Sequence, residues 1–297
     1  MSRTISAGVG KPYGLQRVCR VLDCPRSTIY AQQAAAKVIP LCHQRRGPKP
    51  KLSDADLLSA IRADLDASPF TGEGHRKVWA RLRIVSGIRV SRARVLRLMR
   101  ENVLLSPHRG PQGDPVLHEG SIITDRPNEM WGTDGIRIET VDEGWVWVFA
   151  AVDHFDACCV GIHTVKTGNR FAALQPIAQG LQAEFGAAGA DAGRGLTLRM
   201  DHGTQYTADD FLNQVRFWGI APSFAFVAEP QTNGVAERFN RTLKEQVIHG
   251  RVFKNVEEVR TAVTAFKDRY NRHWHLEKLG FMSPLEARQA YAMRKAA

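Results

Sequence analysis

Three stretches in the middle of the chain, EMWGTDGIRIET (129–140), GWVWVFAAVD (144–153) and ACCVGIHTV (157–165), carry strand patterning and are separated by gaps too short for anything but turns. Neighbours of that kind pair as an antiparallel meander. The pattern then changes to a helix near 170–185, the loop GAAGADAGRG, a strand LTLRMD ending at residue 201, a helix TADDFLNQVRFWG, a short strand PSFAF, and a helix from about residue 234. Three strands in succession, followed by strand and helix in alternation, restrict this region to a mixed α/β sheet with helices on its faces.

Charge divides the chain differently. Residues 1–110 carry 21 Lys and Arg against 7 Asp and Glu, residues 111–237 carry 7 against 17, and residues 238–297 carry 13 against 6. Basic ends around an acidic middle suit a protein that grips a polyanion with its arms and holds cations at its centre. The longest apolar run, WVWVFAAV, is too short to span a membrane, and the N-terminus lacks the apolar core of a signal peptide, so a cytoplasmic chain with no membrane partner is expected. The five cysteines form no C-x-x-C pair, which favours reduced core thiols over zinc or disulfides. GVGKP at 8–12 has neither the earlier glycine nor the following Ser or Thr of a phosphate-binding loop, which excludes nucleotide hydrolysis there.

The basic N-terminal part reads as two small helical modules. Within residues 1–50, LQRVCRVLDCPRSTIYAQQ places Val18, Val21 and Leu22 on one helical face, breaks at Asp23, and restarts at Pro25. That is the rhythm of a helix-turn-helix, with Arg26, Ser27, Thr28 and Tyr30 presented to DNA; a plain helical hairpin is the alternative. A basic linker, QRRGPKPKLS, leads to a second DNA-binding module at 51–108. There Leu57, Leu58, Ile61 and Leu65 mark one helix, and Ser91 caps another in which Val95, Leu98 and Met99 face a core while Arg92, Arg94, Arg97 and Arg100 face outward. Residues 109–126 read as a linker, 127–254 as the α/β domain, and 255–297 as a helical extension with Val259, Val263, Phe266 and Tyr270 at core spacing.

Three carboxylates stand out. Asp134 shares the parity of Met130, Ile136 and Ile138, a position where the strand pattern calls for an apolar residue. Asp201 closes LTLRMD at the carboxyl edge of a strand, beside Gly203, which permits a sharp turn. Glu237 lies near the start of a helix whose buried stripe is Val235, Phe239, Leu243 and Val247, capped by Thr232 or Asn233. Arg238, Arg241 and Lys244 follow it as a basic track for phosphates. Three converging carboxylates repel one another unless a divalent ion neutralises them, and oxygen-only ligands suit Mg²⁺ or Mn²⁺, as one of a pair of ions. The loop GAAGADAGRG and the segment EPQTNG are expected to be mobile, with the site completed by metal and DNA.

The words WGTD around Asp134, DHGTQYT from Asp201 and PQTNGVAERFNRTLKE around Glu237 resemble those of DDE transposases and retroviral integrases, most of all transposases of the bacterial insertion-sequence three family. The 35 residues between Asp201 and Glu237, and a basic residue at Lys244 seven positions further on, fit that resemblance. It implies a ribonuclease H-like catalytic domain with N-terminal helical modules, and Mg²⁺-dependent nicking at element ends followed by strand transfer. It also implies a homo-oligomer holding paired double-stranded DNA ends and, in many members, an end-recognition part supplied as a fusion partner from an upstream reading frame. The His/His/Cys/Cys zinc module of the retroviral proteins is absent from the sequence. Two other readings remain open here. One is a structure-specific nuclease of the same fold, which cuts but does not join; the other is a DNA-binding regulator that never cuts.

Overall fold

The computed structural model describes residues 3–37, 51–106, 122–225 and 233–296. It divides into two compact units, Met1–Ser53 and Asp54–Ala297. In the first, α1 (Leu15–Val21) and α2 (Arg26–Lys37) are joined by a tight turn in which the Cys24 N–H donates to the Cys19 carbonyl at 2.9 Å. Pro25 precedes the second helix, its carbonyl accepting from the Thr28 N–H. The expected apolar face departs from the pattern: Cys19 is buried, while Val21 and Leu22 are exposed. Two short helices bury little between them, and among the described residues of this unit no third helix covers that face.

The second unit begins with α3 (Asp54–Ala67), α4 (His75–Ile84) and α5 (Arg92–Glu101). Leu57, Ile61, Val78, Leu82, Val95 and Met99 form their common interior. Ser91 caps α5 as its type and position require, its hydroxyl accepting from the Arg94 N–H. This module does not stand apart from the sheet domain. Phe70 is buried in the sheet domain's core against Trp274, ring centroids 4.8 Å apart, and Lys77 lies over the same indole.

The sheet has five strands, β1 (Met130–Thr140), β2 (Gly144–Asp153), β3 (Cys159–Val165), β4 (Thr197–Met200) and β5 (Ala221–Phe224), in the order β3-β2-β1-β4-β5. The first three are antiparallel to one another; β4 and β5 run parallel to β1. This is the mixed sheet required by the element order, and it is ribonuclease H-like. One face packs on α6 (Arg170–Phe185), the short α7 (Thr204–Thr207) and α8 (Asp209–Phe217) through Trp131, Phe149, Ile177, Leu181, Tyr206 and Phe211. The other carries Ile136, Ile138, Val146 and Val148 against α9 (Gly234–Leu243) and α10 (Val256–His273). Val259, Val263, Phe266 and Tyr270 all lie in that second core, so α10 is a layer of the sheet domain and not an appendage. The chain ends in α11 (Pro284–Ala296).

The loop at 186–195 is pinned, contrary to the mobility expected of it: Asp191 N–H donates to the Phe217 carbonyl and Gly193 N–H to that of Trp218. Most of EPQTNG, including Thr232, lies outside the described residues. Among the described residues no helix is long and apolar enough to cross a membrane.

Candidate active site

Strand pairing brings the first two carboxylates together. Met130, Trp131 and Gly132 of β1 pair in parallel with Thr197, Leu198 and Arg199 of β4. Run two steps past its last paired residues, that register brings Asp201, just beyond the end of β4, to the side of Asp134, and the charge of Asp201 is felt at Asp134. Asp134 lies on the face that α9 covers, as its parity with Ile136 and Ile138 demands. Glu237 comes from the first turn of α9, whose buried side is Ala236, Phe239, Asn240 and Leu243. Glu237 and Asp134 line one groove of about 440 Å³ with Asn240, Arg241, Lys244 and His249.

The groove's electrostatics follow from that convergence. Burial raises the Asp134 carboxyl above the usual range, Asn240 and the Gly135 N–H pull it down, and the charge of Asp201 raises it again. Glu237 is raised by burial, then by Asp134 and Asp201. Tyr206 is buried beside Asp134 and Asp201; burial, followed by the Asp134 charge, pushes its phenol well up, so it stays neutral.

The carboxylates are nonetheless not drawn into a closed cluster. Among the described residues, no three His, Cys, Asp or Glu side chains stand close enough to hold one metal ion. Asp134 accepts from Asn240 Nδ2 at 2.9 Å and from its neighbour Gly135 at 2.7 Å, and Asp201 accepts from the Gly203 N–H at 2.9 Å. Mutual repulsion opposes closer approach, and these donors offset part of the charge. The donor set fits a hard divalent cation: it is all oxygen, and two of its members, Asp134 and Glu237, are raised first by burial and then by neighbouring carboxylate charge.

Several sequence expectations change in detail. Gly203 has φ −58°, a conformation open to any residue. Its smallness matters instead, because a Cβ there would meet Asp201 Oδ1 at 2.9 Å. Asn233 occupies the start of α9 but makes no side-chain cap; its Nδ2 donates to the Thr133 carbonyl and ties the helix to β1. Lys244 and Arg241 line the groove, whereas Arg238, a quarter-turn round the helix, does not, and its charge is felt by Tyr270 and Lys278. Arg94 and Arg97 do not project freely: both ion-pair with Asp54 at the start of α3, at 2.6 and 2.5 Å, which fastens α3 to α5. Arg26, Ser27, Thr28 and Tyr30 are exposed on the first turns of α2. Asn240 was missed, although its place three residues after Glu237 puts it near the same helix face. Tyr206 and His249 gave no comparable signal.

Comparison with known proteins places this geometry in context. Two models described as "Integrase core domain" match residues 124–230 and 218–284, and one described as "HTH-like domain" matches residues 53–112, the second helical module. The chain is 28% identical to the "Transposase for insertion sequence element IS629" of Shigella sonnei, over 94% of this chain and 93% of that one. It is 29% identical to "Transposase InsD for insertion element IS2D" of Escherichia coli (strain K12), over 78% of each. Among solved structures, the catalytic core domain of BIV integrase aligns with TM-score 0.42 and 20% identity, covering 57% of this chain and 99% of that one.

Proposed function

The chain belongs to the DDE transposase and integrase superfamily, and from that premise we propose that it is a DNA transposase in which Asp134, Asp201 and Glu237 form the catalytic carboxylate set. What supports this reading most is that Asp134 on β1 and Asp201 just past the end of the parallel strand β4 act on each other's surroundings electrostatically, while Glu237 and Lys244 line one groove with Asp134. Asp134, Asp201 and Glu237 would hold magnesium or manganese, as two ions, which when bound would supply the positive charge that activates an attacking oxygen and stabilises the leaving one. Asn240 fixes the orientation of Asp134 through its hydrogen bond. Lys244 and Arg241 grip phosphates flanking the reacting one.

Two phosphodiester exchanges follow at this one site. In the first, water attacks phosphorus at an element end, the bond to the 3′ oxygen breaks, and that oxygen leaves as a 3′-hydroxyl. In the second, this hydroxyl attacks a target phosphodiester, forming the new P–O bond as the target's own 3′ oxygen departs. The residues at the start of α2, together with the 53–112 module, bind double-stranded DNA, and the chain works as a homo-oligomer on paired ends at the bacterial nucleoid. Within the module, Arg94 and Arg97 reach phosphate only by exchanging Asp54 for it.

Incubating the chain with duplexes carrying the element's own ends in Mg²⁺ or Mn²⁺ tests this directly. Nicked strands exposing a 3′-hydroxyl, and joined products from it, are expected. Cutting without joining would make it a nuclease, and binding without cutting a regulator.

A further inference from the structure

A second group of polar side chains sits behind the carboxylates. His154, just after β2, is 7% exposed and Asn233 is 3% exposed, yet His154 Nε2 and Asn233 Oδ1 have no hydrogen-bond partner. Both aim at one point: a Cβ built on Gly132 would lie 2.8 Å from Asn233 Oδ1 and 3.1 Å from His154 Nε2. Unpartnered buried polar atoms are costly and rare, and two converging on one glycine call for a common partner. The donor side of that pairing is available. Burial, with the charges of Lys278 and Arg199, pushes His154 down to about 4, so near neutrality the ring carries one proton and presents one N–H.

The ring's backbone is fixed on both sides. His154 N–H donates to the Met130 carbonyl at 2.9 Å, and its own carbonyl accepts from Lys278 Nζ at 3.0 Å. Asn233 is already held to β1 through the Thr133 carbonyl, and Glu237 follows it by about one helical turn. We propose that His154 is a positioning residue for the carboxylate site: its Nε2–H closes a latch on Asn233 Oδ1, directly or across one buried water, and so sets Glu237 over Asp134. Gly132 is required because any side chain there would force Asn233 off the strand. The role rests on the reading of Asp134 and Glu237 as working carboxylates.

The test compares His154→Phe, His154→Asn and His154→Gln with the parent in single-turnover nicking of an end-containing duplex in Mn²⁺, with DNA affinity and Tm measured alongside. Glutamine sets an amide nitrogen where Nε2 stands; asparagine stops short of it; phenylalanine keeps the size and loses the donor. His154→Phe and His154→Asn are expected to nick about 10–100-fold more slowly with unchanged DNA affinity, as when a residue behind a metal ligand is lost, and His154→Gln to recover most of the rate. Parent-like nicking by His154→Phe, or no recovery in His154→Gln, overturns the latch. A parent that never nicks counts against the transposase reading, not the latch. If His154→Phe fails to fold, a high-resolution crystal structure of the parent decides. Nε2 bonded to Asn233 Oδ1, or to a water shared by both, supports the proposal; Nε2 bonded elsewhere overturns it.

Discussion

Two acidic clusters occupy this domain, and they are built on opposite principles. At the end of β2, Asp153 and Asp156, with Glu184 from α6, surround the guanidinium of Arg288 on α11, at 2.9, 2.7 and 2.5 Å. Backbone N–H groups of Asn128, Phe155 and Cys158 satisfy further oxygens of the two aspartates. About three residues along β1, roughly 10 Å away, Asp134, Asp201 and Glu237 act on one another with no arginine ion-paired to them among the described residues, Arg241 of the same groove being paired with Glu245. The first cluster carries its counter-cation in the chain and is closed. The second is open, the charge of Lys244 only partly offsetting that of Asp201 at Asp134. On the proposed function, the carboxylates that hold the fold together are given an internal partner, and those left without one, at the groove, would take a cation from outside.

The largest effect is expected at the open cluster. Glu237→Gln, which keeps shape and removes charge, should reduce nicking at least about 10²–10³-fold while DNA affinity stays near that of the parent. Equal loss of binding and cleavage in a filter-binding and nicking pair would erase the distinction between the carboxylates and the basic arms. The closed cluster should respond in stability instead. Arg288→Met leaves buried carboxylates uncompensated and should cost about 3–5 kcal/mol by denaturant unfolding. The sign with pH follows from Asp153, which burial and then Asp156 push up to about 6. Without Arg288 the loss should be smallest below the ordinary carboxylate range and grow as pH rises through that value, because ionised Asp153 then has no partner.

A smaller effect, opposite in sign, is expected for Asp134→Asn. Folding raises the Asp134 pKa, so its ionised form destabilises the metal-free chain as pH rises above the ordinary carboxylate range. The variant should therefore unfold about 2–4 °C higher than the parent at pH 8, the equivalent of about 1 kcal/mol, and show no advantage near pH 3. Added Mg²⁺ should raise the parent's Tm and leave the variant's nearly unchanged. The smallest effect concerns the helical module. Asp54→Asn releases Arg94 and Arg97, and if those side chains meet phosphate, the salt dependence of DNA binding should steepen by about one or two contacts. An unchanged slope would leave both arginines with a purely structural task.

What the sequence disclosed depended on how far apart the interacting residues lie. Asp134 was legible because a two-residue period fixes which strand positions face the core, and Glu237 because a 3.6-residue period fixes the buried stripe of α9. The three-strand meander and the alternating elements after it were readable for the same reason. Arg288 gave no local sign of its role, since its partners Asp153 and Asp156 lie more than 130 residues away. The pairing of Arg94 and Arg97 with Asp54 was hidden likewise: a basic helix face looks the same from sequence whether it meets solvent, DNA or another helix. Lys244 opens a π-helical turn, Lys244–Ile248, in which Gln246 bonds to both backbone groups of Thr71. That link between the α9 region and the helical module arises from tertiary contacts that no periodicity encodes.

The central claim is that the open cluster, and not the closed one, is the cation site. Anomalous diffraction from crystals of the parent chain grown with end-containing DNA and Mn²⁺ tests it most directly. Mn²⁺ within about 2.2 Å of oxygens of Asp134 and Asp201, with Glu237 turned toward it, is the predicted result. Mn²⁺ bound at Asp153 and Asp156 with Arg288 displaced, or Asp134, Asp201 and Glu237 unliganded in a complex that has nicked its DNA, would contradict it.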